Sequence, residues 1–342
     1  MSRINSEPRP RVCTVILNWN QPEMTAECVK SVLGQEASSR NSVLVIDNGS
    51  TTENRAALAA ALPCECKLIQ NDQNLGFAGG MNIGIHYALE KGFEYLWLLN
   101  NDAFPSPGCM DALVSAMDAD ATLTIVTPRL IYPDGTPQQL GGCVDWETAH
   151  ISPMLGTDFP RPAEKGWYVT GAAPLFRSDV LRSVGGFDSR FFAYWEDVDL
   201  CTRIISGGGN FGVANAATCV HLESATSGRN SPINTHLNVR NGWLFVSKHR
   251  NVLSWPRLWL RQTASRLKYA GKLKERGHDK QALAVLTALW DGMTNRFHKP
   301  RRIETNSLAS QFILNHYWGI SRLMWTAANV ISPPRKRRPP LQ

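Results

Sequence analysis

Leu96-Trp97-Leu98-Leu99-Asn100-Asn101-Asp102 is an apolar run fit for a buried strand that stops abruptly at two amides and a carboxylate. In an open α/β sheet, ligands bind beyond the carboxyl ends of the strands. Asp102 is then delivered to a cleft, where a carboxylate can hold a divalent cation. A turn that merely ends the strand accounts for Asn-Asn-Asp on its own. The segments on either side decide between the two.

Upstream, Val12-Cys13-Thr14-Val15-Ile16-Leu17 reads as a buried strand ending at Asn18-Trp19-Asn20. Pro22 opens a helix in which Met24, Cys28 and Val32 recur every fourth residue. Val43 to Ile46 is a second strand, ending at Asp47-Asn48-Gly49-Ser50, and an Ala-rich helix follows from Thr52 to Leu62. Cys66 to Ile69 is a third strand, and a Gly-rich segment from Asn74 to Asn82 leads into a helix ending at Lys91. Short apolar runs alternating with helices of this length predict a mostly parallel sheet sandwiched by helices, an α/β fold.

Downstream, a helix to Met117 precedes a strand over Thr124 to Thr127. The Pro- and Gly-bearing span from Pro128 to Gly166 reads as an inserted hairpin or loop beside a cleft. Trp167 to Phe176 resumes strand character, and a short helix over 178–184 closes at Gly185-Gly186. The run Phe191-Phe192-Ala193-Tyr194-Trp195-Glu196-Asp197-Val198-Asp199-Leu200 opens another helix, and a last strand, Thr218 to Leu222, carries His221. Residues 241–330 read as a helical extension, and 331–342 as a disordered basic tail.

Composition narrows the class. A chain of 342 residues with 43% hydrophobic and 19% charged residues has the balance of a folded globular protein. The excess of 36 Lys and Arg over 29 Asp and Glu falls mostly beyond residue 240, which points to an anionic surface as partner. The 8 cysteines show neither C-x-x-C pairs nor zinc-finger spacing, as expected of a reducing compartment without a structural zinc. Residues 1–11 lack the apolar core of a signal peptide, and no apolar run is long enough to span a bilayer. A cytoplasmic protein is the expectation.

Several polar residues at these strand ends could carry chemistry. Asp47 is an acceptor suited to the N3–H of a pyrimidine base, though Asp-Asn-Gly also turns readily by itself. The glycines from Gly76 to Gly84 could let backbone approach phosphate or ribose, but they match neither G-x-G-x-x-G nor a P-loop. Glu196, Asp197 and Asp199 could serve a helix N-terminus electrostatically. Behind an aromatic run, however, a partly desolvated carboxylate gains basicity and suits a general base. His221 could ligate a metal as neutral imidazole or be structural.

The ordered series Asn18-Trp19-Asn20, Asp47-Asn48-Gly49-Ser50, Asn74 to Asn82, Leu98 to Asp102, Gly185 to Asp188, Glu196 to Leu200 and His221 resembles a family 2 glycosyltransferase with the GT-A fold over residues 10–240. The resemblance implies that Asn18, Asn20, Asp47, Asn74, Gly76, Gly80, Asn82 and Asn101 hold a nucleotide-sugar, with Asp47 on the base. Asp102 stands at the last Asp of the family's D-x-D motif, whose first Asp is here Asn100. Asp102 and His221 are then the ligands of Mg²⁺ or Mn²⁺. Asp197 falls at the family's catalytic base, with Glu196 and Asp199 as alternatives, and the implied reaction is an inverting single displacement.

Within the family, the Asn-Asn-Asp version and the aromatic run resemble bacterial rhamnosyltransferases using dTDP-L-rhamnose. UDP-galactofuranose, UDP-hexose and GDP-sugar enzymes share much of the pattern. Neither a Q-x-x-R-W motif nor membrane spans are evident, which implies one sugar per encounter. The implied acceptor is a saccharide or a polyprenyl-linked saccharide in cell-surface polysaccharide synthesis. The basic, Trp-bearing stretch Trp255 to Arg276 fits an interfacial helix on the inner face of the membrane, or a packed helix with a solvated basic side. Two other readings compete: a non-catalytic sugar-nucleotide or glycan-binding module, and a nucleic-acid binder. The second is suggested by the basic tail, Pro334 to Pro340, and the basic helix, but no recognised binding motif accompanies them.

Overall fold

The computed structural model describes residues 11–35, 41–154, 159–223, 231–249, 255–297 and 308–331. Contacts group the chain into two units, Met1–Cys143 with Ile151–Thr226 and Val144–His150 with Ser227–Gln342.

The first half of the larger unit alternates strand and helix as its hydrophobic pattern dictates. β1 (Val12–Asn18), α1 (Pro22–Leu33), β2 (Asn41–Asp47), α2 (Thr52–Ala61), β3 (Lys67–Gln70), α3 (Gly76–Lys91) and β4 (Tyr95–Asn100) follow in order. Then come β5 (Ala103–Pro105), α4 (Cys109–Ala119), β6 (Leu123–Ile131), β7 (Gly141–Asp145), β8 (His150–Met154), β9 (Trp167–Val169) and β10 (Leu175–Arg177). α5 (Ser178–Val184), α6 (Glu196–Ser206) and β11 (Asn210–His221) complete it.

The main sheet has eight strands in the order β3-β2-β1-β4-β10-β6-β11-β5. β1 runs parallel to β2 and β4, and β2 parallel to β3, so this half is the predicted parallel sheet. β10 enters antiparallel between β4 and β6, and β11 is parallel to β6. Val15, Ile16, Leu44, Val45, Leu98 and Leu99 are buried, as expected of strands covered on both faces.

Two strands outrun the sequence reading. β6 continues through Pro128, which pairs where β11 is irregular, between Ala214 and Thr218. A proline is tolerated in a sheet where the ladder is interrupted. The irregularity also lets β11 run over 12 residues although its middle, Ala214-Asn215-Ala216-Ala217, lacks strand alternation. The span expected as a hairpin or loop holds β7 and β8, which join β9 in a separate three-stranded sheet.

The smaller unit contains α7 (Pro232–His249), α8 (Trp255–Glu275), α9 (Asp279–Met293), α10 (Leu308–Asn315) and α11 (Tyr317–Ile331). α7 packs on α9, and α8 packs on both α9 and α11. Much of the basic side of α8 is turned inward. Arg257 and Arg261 pair with Glu147, Arg266 donates to the carbonyl of Ala149 at 2.8 Å, and Arg261 lies over the Trp325 ring. No helix among the described residues is long and apolar enough to cross a membrane. Of the segment expected to be a disordered tail, 332–342 lies outside the described residues.

Candidate active site

Parallel register brings the candidate residues together. Asn18 pairs with Asp47, Leu17 with Asn100, and Asp47 with Gln70, so β1, β2, β3 and β4 end side by side. Asp47 is fully buried. Asn18 Nδ2 donates to its Oδ1 at 2.8 Å, Ser50 Oγ at 2.5 Å, and Arg55 Nε lies 3.3 Å from its Oδ2. These partners occupy most of the lone pairs of a carboxylate. Asp47 therefore fixes the loop after β2.

Asn20 stands in the left-handed region at φ 55°. Its Oδ1 accepts from Thr51 N at 2.9 Å and Asn54 Nδ2 at 3.1 Å, tying the loop after β1 to the start of α2. Asn74 Oδ1 accepts from Gly76 N at 2.8 Å and from Asn48 Nδ2 at 3.1 Å. Gly76 has φ 77°, and a Cβ there would lie 2.4 Å from Phe192 O, so the position admits glycine alone. Gly80 serves packing: its Cβ would lie 2.5 Å from Leu17 Cδ1. Asn82 is bonded through both ends of its amide to the backbone of Phe187, at 2.8 Å each way. It braces the approach to α6. Asn101 Nδ2 donates to Gln21 Oε1 at 2.9 Å and to Thr25 Oγ1 at 3.1 Å, holding the β4–β5 turn against α1.

Asp102 and His221 meet because β11 pairs with β5, His221 opposite Ala103, and Leu222 N donates to Asp102 O at 3.0 Å. Asp102 Oδ1 lies 3.4 Å from His221 Nε2. Gln138 sets the orientation of the imidazole. Its Nε2 donates to His221 O at 2.5 Å, which turns its Oε1 toward Nδ1 at 2.9 Å. An acceptor there places the ring proton on Nδ1 and leaves the Nε2 lone pair on the side of Asp102. One carboxylate and one imidazole lone pair on a common side fit a divalent cation whose other ligands come from diphosphate and water. No group of three His, Cys, Asp or Glu side chains around one metal position exists among the described residues.

Asp197 sits in the first turn of α6. Gly171 N donates to Oδ2 at 3.2 Å, and Asn100 N donates to Ala172 O at 2.8 Å. Residues 171–172 therefore link Asp197 to the end of β4. Desolvation pushes Asp197 up to about 6, against the Val198 and Gly171 N–H groups, which favour the anion. Glu196 is raised well above the carboxylate range by burial first and by the charge of Asp197 second. Among the described residues, its Oε2 has no hydrogen-bond partner. Asp199 is held by Arg203 Nε at 2.9 Å, which excludes it as a free base. Phe192, Tyr194 and Trp195 have φ of 63°, 69° and 74°, an uncommon backbone for bulky residues. Phe192 O accepts from Ala78 N at 3.1 Å, so this strained segment joins the start of α3 to the start of α6.

Sequence reasoning missed three supporting residues. Gln138 lies in the Pro- and Gly-bearing span from Pro128 to Gly166, with no motif to mark it. Arg55 lies on a helix face that appears generic. Asn48 was quoted without a role, yet its Nδ2 donates to Gly76 O at 3.0 Å and its Oδ1 accepts from Asn71 at 3.1 Å and Leu75 N at 3.1 Å. An amide between two turns was the available signal.

Several known proteins are similar to this chain. The galactofuranosyltransferase GlfT1 of Mycolicibacterium smegmatis is 27% identical over 220 residues, 61% of this chain and 70% of its own length. The N-acetylglucosaminyl-diphospho-decaprenol L-rhamnosyltransferase of Mycobacterium tuberculosis is 28% identical over 251 residues, 65% of this chain and 79% of its own. Residues 1–349 of S. aureus TarS superimpose with a TM-score of 0.51 at 11% identity, covering 96% of this chain and 93% of that one. GalNAc-T7, solved with UDP, GalNAc and Mn²⁺, gives 0.52 at 18% identity, covering 67% of this chain and 48% of that one. The likeness places the larger unit in the GT-A type of α/β fold. Residues 13–184 match the profile described as Glycosyl transferase family 2, and the chain belongs to that family.

Proposed function

We propose that the protein is a non-processive, inverting glycosyltransferase. It moves one sugar, L-rhamnose from dTDP-L-rhamnose, to a saccharide or polyprenyl-linked saccharide in bacterial cell-surface polysaccharide synthesis. The observation that carries this reading is the convergence of Asp102, His221 and Asp197 on the end of β4, joined through residues 171–172. Similarity to a rhamnosyltransferase supports the donor. Similarity to a galactofuranosyltransferase supports a second reading, the same chemistry with a UDP-sugar.

Each residue then has a task. Asn18, Asn20, Asp47 and Asn74 shape the nucleotide subsite, with the pyrimidine N3–H meeting Asp47 in place of Ser50 or Arg55. Gly76 brings backbone close to the nucleotide, while Gly80, Asn82 and Asn101 position the elements around it. Asp102 and His221 hold Mg²⁺ or Mn²⁺, which supplies neutralisation of the leaving diphosphate. Asp197 takes the proton from the acceptor hydroxyl. That oxygen attacks the anomeric carbon on the side opposite the nucleoside diphosphate, so the configuration inverts. A carboxyl poised at about 6 is ionised at neutral pH yet basic enough for this work. The enzyme acts in the cytoplasm, peripheral to the inner face of the membrane.

A thermal-shift panel of dTDP, UDP and GDP with their sugars tests the donor. Stabilisation by dTDP-L-rhamnose above the others is expected. Preference for UDP-galactofuranose establishes the second reading, and no response to any pyrimidine nucleotide refutes both.

A further inference from the structure

Sequence alone points to α8 as the membrane-facing helix, but its arginines are largely committed to Glu147 and Ala149. Tyr269 of α8 and Trp290 of α9 are exposed, and a larger group of exposed apolar side chains lies on the two helices that follow. Phe312 on α10 is 59% exposed, and Trp318, Leu323 and Val330 on α11 are 55%, 73% and 80% exposed. Leu323 and Val330 are two turns apart on one side of α11, the spacing of a single helix face.

The charge carried by the two helices themselves has one sign, although Glu275 of α8 accepts from Tyr317 Oη at 2.6 Å at the start of α11. Neither α10 nor α11 contains Asp or Glu, and Arg322 is exposed beside Leu323. Lys268 of α8 holds its Nζ 5.6 Å from the Trp318 ring and 5.7 Å from that of Trp325, a cation at the edge of the apolar surface. In the sequence, Lys299, Arg301 and Arg302, with one acidic residue, Glu304, precede the two helices, and Arg335, Lys336, Arg337 and Arg338 follow them.

We infer that α10 and α11 form an interfacial contact for an anionic lipid surface. The apolar side chains enter the boundary between headgroups and acyl chains, and the basic residues meet the lipid phosphates. Trp318 suits that depth, having an apolar ring and a polar edge. A second copy of the chain is the rival occupant. A two-fold contact would set this patch against itself. Arg322 would then approach its own copy with no acidic residue of α10 or α11 to offset it.

Flotation of the full chain with vesicles of phosphatidylcholine, alone or mixed with phosphatidylglycerol, tests the inference. Binding to the mixed vesicles that weakens in high salt is expected. Leu323→Glu with Val330→Glu alters solvent-exposed positions, and circular dichroism with thermal melting verifies that the variant folds. This pair should lower partitioning by roughly tenfold or more, since it removes apolar insertion and adds repulsion from the lipid. Failure of the parent chain to float with anionic vesicles overturns the inference, as does flotation unchanged in the folded double variant. A lipid-free dimer in sedimentation that the same pair disrupts also overturns it and assigns the face to self-association. Because none of these readouts needs sugar transfer, the result stands whatever the donor proves to be.

Discussion

Asp197 combines two demands that oppose each other. Burial raises its affinity for a proton, which serves a base but penalises the ionised form in the folded state. The folded pKa, about 6, lies above the ordinary aspartate value of 3.8, so folding favours proton uptake at this site. That stability is fully present below the ordinary value and is lost as pH rises through about 6. Asp197→Asn should therefore be more stable than the parent at pH 7, by about 1–3 kcal/mol in denaturant titrations, because it removes a desolvated charge. Its transfer rate should fall by about 10²–10⁴-fold. In the parent, kcat/KM should decline as pH falls through about 6. An Asp197→Asn enzyme that keeps full activity would refute the base assignment. Gln138 offers a second test, as a positioning residue for His221. Gln138→Ala should free Nδ1, shift the His221 tautomer in ¹⁵N NMR spectra, and weaken Mn²⁺ binding by about 10–100-fold. Gln138→Glu keeps an acceptor for Nδ1 but loses the donor to His221 O, so it should restore the tautomer only in part.

Among the elements, α3 depends on its glycines for packing as much as for any ligand. A Cβ at Gly84 would lie 2.2 Å from Val15 Cγ1, so this helix approaches β1 more closely than alanine allows. Gly84→Ala should cost about 1–3 kcal/mol in denaturant unfolding, the usual penalty of overpacking. Val15→Ala removes the obstructing methyl groups, and the double variant should recover part of that loss. Additive costs would show that the contact is not the cause. The helix N-terminus is the functional end of the same element. Gly76 meets Phe192 there, so a shift of α3 would be transmitted to the strained residues that precede Asp197. The periodicity of α3 and its Gly-rich opening were legible in sequence. The division of labour among its glycines was not, because it depends on which side chain of β1 faces each one.

For the whole molecule, the proposed activity makes stability a function of ligands. A nucleotide-sugar at about 100 times its Kd should stabilise the folded chain by about 2.7 kcal/mol. If Asp102 and His221 hold the cation, EDTA should reduce that stabilisation and abolish transfer, and Mg²⁺ or Mn²⁺ should restore both. Full activity in chelator would remove the metal role from both residues. The alternation of apolar runs and helical patterns was enough to predict the parallel half of the sheet, since the central residues of β1, β2 and β4 are buried on both faces and largely apolar. The second half was less legible. β10 has three residues, and β11 crosses an irregularity, so neither leaves a strong period in sequence.

Taken alone, the sequence determined the α/β class, the polar strand ends and the ordered motif series that belongs to glycosyl transferase family 2. Those features are local: a hydrophobic period, a turn residue and a short motif are written in consecutive residues. Only the tertiary structure decided that Gln138 orients His221, that Arg203 occupies Asp199, that Glu196 is buried beside Asp197, and that the exposed apolar face belongs to α10 and α11. Each of these depends on partners distant in sequence or on which side of an element the rest of the chain covers. Asp102 stands at the junction of the two kinds of information. Its place after a buried strand is local, whereas its pairing with His221 arises from β11 returning beside β5, 119 residues later in the chain.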